Sequence, residues 1–428
     1  MTVKLRSRDK QFLNGRQGLG AQMAMRILVR MAEVQEAEEL MDVSQAHIDG
    51  CGLLSESSLE FAESLAAKGA RVSIPTTLNM VPLDLQNWRE FGIREDFAAK
   101  AERQAKAYTD MGCIPTWTCA PYQGYLTPRF GQQIAWGESN AICYANSVLG
   151  ARTNRYGDYV DICAAITGRV PRCGLHLREN RKGQILFRLL DIPPTVTQSH
   201  TFYVVFGHLL GSHTADKIPV IEGLPVNASS DQLKALCAAA ASSGAVALFH
   251  AIGVTPEANT LEQACQGDRP EKVIDIHLSD LQKSRSDLST APESAKLDLV
   301  VLGCPHSSFD EFRDLAMLVQ SETEKGKSLH PDVSFVVFSC QTSYALLQRS
   351  DYINVLIDFG IRISLDTCIF HTPMASKNIK ILMTNSGKCA YYAPGELGVQ
   401  VAFGDMAECV KSAVEGYVCR KEAAWNGS

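Results

Sequence analysis

Cys119, Cys304 and Cys368 stand where short apolar runs break into polar loops, in three well-separated parts of the chain. Their surroundings read Thr118-Cys119-Ala120-Pro121-Tyr122, Gly303-Cys304-Pro305-His306-Ser307-Ser308 and Asp366-Thr367-Cys368. Thiolates are soft ligands suited to iron–sulfur clusters and to zinc. A cage built from distant loops, unlike a CxxC pair, holds metal only after the domain has folded. That is how an enzyme places a metal inside a cleft. The Gly303–His306 stretch lacks zinc-finger spacing, which argues against a four-ligand structural zinc.

The densest polar stretch is 134–182. There Glu138, Ser139, Asn140, Asn146, Arg152, Asn154, Arg155, Asp158 and Asp161 are interleaved with Ala141, Ala145, Ser147, Gly150 and Ala151. Small residues permit close backbone approach, and the polar groups between them can line a cavity. Arg152 and Arg155 suit bidentate capture of a carboxylate or phosphate. A buried helix start with internal ion pairs would explain any one of these residues. So many amides and arginines together rarely serve packing alone.

The elements that must carry these groups follow from pattern. The chain has 428 residues, 46% hydrophobic and 21% charged, with a net charge of −6, as expected of a soluble protein of two or three domains. Basic residues form no stripe, so nucleic acid is not an expected partner. No apolar run reaches the roughly 18 residues of a membrane helix, and the N-terminus lacks the apolar core of a signal peptide. The 14 cysteines show no disulfide-scaffold spacing, which points to free thiols in the cytoplasm. No GxGxxG or Walker pattern follows a strand, so nucleotide chemistry is disfavoured.

The first forty residues read as helical, with Ala24, Ile27, Leu28 and Met31 on one face. Strands are expected at 72–74, 245–249, 297–302, 335–338, 361–365 and 379–383, and helices at 56–68, 94–108, 231–243 and 308–321. Strands separated by helix-length segments imply parallel sheets covered on both faces. Polar clusters follow these strands directly: Thr76-Thr77-Leu78-Asn79, His250, Cys304-Pro305-His306, Asp366-Thr367-Cys368 and Asn385-Ser386-Gly387-Lys388. Ligands of open α/β sheets bind outside the carboxyl ends of strands. The polar tract 252–290 reads as a surface excursion or a domain joint.

Several of these strings resemble motifs of the aconitase X family: Ala46-His47-Ile48-Asp49-Gly50, Thr76–Asn79, Thr118–Tyr122, Ile134-Ala135-Trp136 with Glu138-Ser139-Asn140, and the long Ala145–Arg155 run. Gly174-Leu175-His176-Leu177, Gly303–His306, Asp366–Cys368 and Asn385–Lys388 continue the match. The motifs run in order from about residue 14 to about 405. The chain departs from the family at Gly15-Arg16-Gln17-Gly18 and at Gln132, where acidic residues are usual.

The resemblance implies an aconitase-like α/β fold, with several α/β/α units of mostly parallel sheet around a central cleft. It divides into an N-terminal domain at 1–195, a middle domain at 196–295 and a C-terminal domain at 296–428. It further implies a hydro-lyase whose iron–sulfur cluster is bound by Cys119, Cys304 and Cys368. The other cysteines, Cys143 and Cys163 among them, are expected to be core residues, with Cys113 a spectator. Family members dehydrate cis-3-hydroxy-L-proline or phosphorylated mevalonate, and His47 with Asp49 points to the hydroxyproline branch. The family also uses a small swivelling β-rich domain, fused or separate. No segment reads as that domain, so a small partner subunit is expected.

Dehydration of a 3-hydroxy amino acid needs a base for the Cα proton, a Lewis acid for the hydroxyl and a clamp on the carboxylate. The catalytic candidates are His47, Ser139, His306 and Lys388. Substrate-binding candidates are Asp49, Thr76, Thr77, Asn79, Asn140, Asn146, Arg152, Asn154, Arg155 and Ser386. His306, beside a proposed ligand, is an alternative orienting group, and His176 and His250 read first as core histidines. The competing functions are a phosphomevalonate dehydratase large subunit and a cluster-free structural or regulatory partner.

Overall fold

The computed structural model describes residues 3–53, 55–374, 378–420 and 425. Two compact units divide the chain, Met1–Lys182 and Gly183–Ser428. The boundary precedes the expected one at 195, because the strand at 185–189 pairs into the sheet of the second unit.

In the first unit, α1 (Ser7–Leu13) and α2 (Leu19–Val34) cover one side of the core, with Ala24 and Leu28 fully buried as their spacing predicts. Strand β1 (Leu40–Asp42) leads to β2 (Ala46–Ile48), α3 (Glu56–Ala67), β3 (Thr76–Leu78) and α4 (Glu95–Asp110). Then come β4 (Ala135–Trp136), α5 (Ser139–Ser147), α6 (Val160–Thr167) and β5 (Arg169–Pro171). A parallel sheet of order β3-β2-β4 places β2 at the centre, and β1 pairs antiparallel with β5. A buried ion pair locks this layer: Arg169 Nε donates to Asp9 Oδ1 at 2.9 Å, and both side chains are at most 1% exposed.

The expected strand at 72–74 is not formed. Pro75 follows it, and Val72 and Ser73 donate instead to the Met111 and Ala165 carbonyls, so pairing begins only at Thr76.

The second unit begins with β6 (Ile185–Leu189), α7 (Pro194–Thr197), α8 (His200–Thr214), β7 (Pro219–Glu222) and α9 (Ser230–Gly244). It continues through β8 (His250–Ala251), α10 (Leu261–Ala264), β9 (Lys272–Ile276) and α11 (Leu278–Asp287). These strands form a parallel sheet of order β8-β7-β6-β9. Two expectations fail here. The apolar run 245–249 is no strand, since Ala245 enters the left-handed region to end α9 and pairing starts at His250. The tract 252–290 is no excursion either, because it supplies β9 and α11, with Ile276 and Leu281 buried.

The last sheet is built from β10 (Leu299–Leu302), α12 (Phe309–Glu324), β11 (Ser334–Ser339), α13 (Gln341–Leu347), α14 (Tyr352–Phe359) and β12 (Arg362–Leu365). Strand β13 (Ile381–Thr384), α15 (Gly387–Glu396), β14 (Gln400–Phe403) and α16 (Met406–Glu415) complete it. All its strands are parallel, in the order β12-β11-β10-β13-β14. Valine, isoleucine, leucine and phenylalanine fill these strands because helices cover both faces. The chain winds outward from β10 to β12 and then returns to β13 on the other side of β10. The loops after β10 and β13 therefore diverge and open a crevice at their carboxyl ends. Among the described residues no helix is long and apolar enough to cross a membrane.

Candidate active site

In the first unit the functional groups leave the carboxyl ends of β2, β3 and β4. His47 lies within β2, wholly buried, its Nδ1 2.8 Å from Thr77 Oγ1 on the neighbouring strand. Burial drives its pKa down to about 3, and the Glu138 charge and the Thr118 backbone offset only part of that effect. Among the described residues Nε2 has no partner of normal hydrogen-bond geometry, and the Thr118 backbone lies close enough to favour the protonated ring in part. The ring faces Trp136 at 5.8 Å between centroids.

Just past the strand ends sits a carboxylate cluster. Asn79 Nδ2 donates to Asp49 Oδ1 and, at 3.4 Å, to Glu138 Oε2. Glu138 also accepts from Asn140 N at 3.2 Å and Ser139 Oγ at 3.4 Å, capping α5. Asp161 holds the Asp49 loop by accepting from Asp49 N at 2.7 Å and Gly50 N at 3.2 Å. Burial and then the Asp158 charge push its pKa up to about 7, against these backbone donors. Gly137 permits this convergence, because a Cβ there would stand 2.7 Å from Asp49 Cβ.

Several sequence candidates hold the scaffold instead of presenting free groups to a substrate. Asn140 Nδ2 donates to the Cys119 carbonyl at 2.6 Å while its Oδ1 accepts from Tyr122 Oη at 2.8 Å, so it grips the loop of Cys119. Asn146 exchanges both amide bonds with the Thr153 backbone, at 2.9 and 3.0 Å, and takes Arg181 Nη1 at 3.1 Å. Asn154 bonds the Cys173 carbonyl at 3.1 Å and the Leu175 amide at 2.7 Å. Thr76 turns back to the Ile74 carbonyl at 2.8 Å. Arg152 is partly buried, and Arg155 is exposed. His176 is a core group, bonded to Tyr156 Oη and to Gln133 Oε1 at 2.6 Å.

In the second unit the crevice between β10 and β13 brings Cys304 and Cys368 side by side. Gly303, at φ +85°, turns the chain out of β10, and a Cβ there would lie 2.0 Å from the Phe338 carbonyl oxygen. Ser386 Oγ donates to the Cys304 carbonyl and caps α15 by accepting from Cys389 N at 3.0 Å, so Ser386 too is a holder. Cys368 follows β12, two strands away. Asp366 in the left-handed region folds that loop back, its amide donating to the Ser339 carbonyl at 2.7 Å. His306 Nε2 then meets the Thr367 carbonyl at 2.7 Å, which ties the two cysteine loops together.

Hydrogen bonding to Cys304, followed by burial, raises the Cys368 thiol well above its usual range, and the Lys388 charge draws it partly back. Burial first, eased by Gln341 and His306, lifts Asp366 to about 7. Among the described residues, no group of three or more His, Cys, Asp or Glu side chains is arranged to hold a metal ion. The observation that bears on a cluster is the adjacent thiol pair. Two adjacent soft donors can bind a thiophilic metal once it displaces their protons. Cys113 and Cys163 are buried in the first unit, and burial raises both thiols, as befits core residues.

Sequence reasoning quoted Glu138 and Asp161 but gave them no role. Glu138 was detectable, because it directly follows a strand end and precedes a helix.

Three family models match in order: aconitase X first domain over residues 2–179, second domain over 183–286 and third domain over 297–415. The cis-3-hydroxy-L-proline dehydratase of Pseudomonas aeruginosa is 42% identical over 97% of this chain and 71% of its own. That of Hypocrea jecorina is 40% identical over 97% and 70%. The phosphomevalonate dehydratase large subunit of Methanothermobacter thermautotrophicus is 36% identical over 96% and 98%. The crystal structure of Thermococcus kodakaraensis aconitase X in its holo-form superposes with a TM-score of 0.85 at 30% identity, over 96% of this chain and 100% of that one. With all three domains matched in sequence and the fold matched in space, the chain belongs to the aconitase X family.

Proposed function

We propose that this chain is the catalytic large component of a dehydratase that converts cis-3-hydroxy-L-proline to pyrroline-2-carboxylate. The observation that carries the substrate is the higher identity to the two cis-3-hydroxy-L-proline dehydratases, 40% and 42%, than to the phosphomevalonate large subunit, 36%. The chemistry of the first unit agrees with it. Asp49 and Glu138 stand together just past the strand ends, an acidic pair that suits a substrate with a cationic ring nitrogen.

Cys304 and Cys368, with Cys119 as third ligand, would hold an iron–sulfur cluster, which supplies a Lewis acid for the departing hydroxyl. The chain's own groups do the rest. A cation must hold the substrate carboxylate and stabilise negative charge that develops at Cα, a role we assign to Arg152, Arg155 or Lys388. Burial holds His47 neutral and makes it a weak base, so near pH 7 it stays unprotonated and acts as a hydrogen-bonding group, its Nδ1 paired with Thr77 Oγ1. Ser139, on the first turn of α5, shares Glu138 and places a hydroxyl beside the carboxylate cluster. His306 orients the cysteine loops through the Thr367 carbonyl. Loss of the Cα proton and the C3 hydroxyl leaves an enamine, which tautomerises to the cyclic imine.

The related large subunits imply a small partner, and we assign this chain one of swivel type. The 14 free cysteines suit the reducing cytoplasm. The test is an anaerobic assay of the iron-reconstituted chain with a candidate small subunit on both substrates. Water loss from cis-3-hydroxy-L-proline is expected. Turnover of phosphomevalonate alone would reverse the assignment.

A further inference from the structure

The second domain of this family fold, residues 183–286, contributes no cysteine to the proposed ligand set, yet one of its side chains reaches the Cys304 loop. Lys234 lies on α9 and is 1% exposed, among the most buried large side chains of the chain. An ammonium has three donors and no acceptor. Here all three are engaged: Glu311 Oε2 at 2.6 Å, Asp231 Oδ1 at 2.9 Å and the His306 carbonyl at 3.2 Å.

The acceptors are themselves tied in. Glu311 Oε2 accepts from Ser308 N at 2.9 Å, and Ser308 Oγ donates to Asp231 Oδ2 at 2.7 Å. The knot therefore joins the first turn of α9, the N-terminus of α12 and the segment 304–308 between them. From His306 the chain of contacts continues through Nε2 to the Thr367 carbonyl, one residue before Cys368. One carboxylate neutralises a buried ammonium, and Lys234 has two. The third bond, to a backbone carbonyl in the cysteine loop, has no part in charge balance.

We infer that Lys234 is a positioning residue that holds the Cys304 loop, and through His306 the Cys368 loop, at the spacing a shared metal centre needs. This rests on the reading of Cys304 and Cys368 as cluster ligands. Lysine suits the task because its flexible stem packs among apolar neighbours while its head bonds in three directions. The second domain thereby acts on the cluster site without supplying a ligand.

The test uses the reduced, metal-free chain and phenylarsine oxide, which joins two thiols as a dithioarsonite with release of one water. Mass spectrometry of the digest reads the Cys304–Cys368 bridge. The variant is Lys234→Met with Glu311→Gln, which keeps the net charge and the length of the Glu311 side chain and shortens that of Lys234 by one atom. Wild type is expected to bridge readily. In the variant, bridging and retention of reconstituted iron against a chelator should both fall by about tenfold or more, with the thermal unfolding transition still cooperative.

Equal bridging and equal iron retention in the folded variant would overturn the inference and leave the ligand assignment standing. Failure of the wild type to bridge would overturn both. Should the variant not fold, hydrogen exchange in the wild type decides. The Ser307 and Ser308 amides should be protected alongside the first turn of α9, and rapid exchange there would overturn the tether.

Discussion

The two units plant different chemistry on the same device. Each aims its polar groups from the carboxyl ends of parallel strands, β2, β3 and β4 in one and β10, β12 and β13 in the other. In the first unit those groups are carboxylates, a neutral imidazole and amides, locked by hydrogen bonds to backbone. In the second they are two thiols, a lysine and loops that turn through positive φ at Gly303 and Asp366. The first surround is acceptor-rich and suits a cationic substrate, whereas the second is soft and suits a metal. Strand-end geometry is thus indifferent to chemistry. What distinguishes the sites is how rigidly each loop is tied and to what.

The largest effect expected from breaking this division lies on the sulfur side. Cys304→Ser or Cys368→Ser should abolish iron binding and lower turnover by about a thousandfold or more. Cys163→Ala should keep its iron, and retention of iron by either ligand variant, read by metal analysis and visible absorption, would remove the basis of the assignment. The first unit depends more on buried charge. Asp9→Asn leaves the buried Arg169 with only the exposed Asp42, at 2.8 Å, to balance its charge and should cost about 3 kcal/mol in urea unfolding. A loss below 1 kcal/mol would mean that solvent reaches the pair.

A sharper contrast comes from Glu138→Gln. It should lower kcat/KM for cis-3-hydroxy-L-proline by about a hundredfold while iron content stays at the wild-type level. Loss of iron in that variant would erase the separation between the two chemistries. The smallest expected effect concerns pH. Burial holds His47 and His176 near pKa 3 in the folded chain, against about 6.5 when unfolded. The unfolded chain therefore binds protons that the folded chain refuses, and stability falls as pH drops from about 6.5 toward 3. At pH 5 each histidine should cost about 2 kcal/mol relative to pH 7. Imidazole resonances of these residues that titrate near 6.5 in the native state would contradict it.

Much of this could be read from residue order. The long amphipathic helices α2, α4 and α12 announce themselves by 3.6-residue periodicity, and the apolar runs of β10, β11 and β13 by burial on both faces. Those are local properties, dictated by a dozen neighbouring side chains. The short strands β2, β3 and β4, two or three residues each, carry too few side chains to show a period.

Cys304, Cys368 and Lys388 could be named from motif and strand-end position. That Asn140, Asn146, Asn154 and Ser386 hold loops could not, because an amide or hydroxyl has the same sequence signature whether its partner is substrate or backbone. The strand order that sets β10 beside β13, the fold-back at Asp366 and the burial of Lys234 join residues up to 83 positions apart, as Leu299 and Leu382 are. Only packing decides such contacts, since their free energy exists once the chain has closed and water has left.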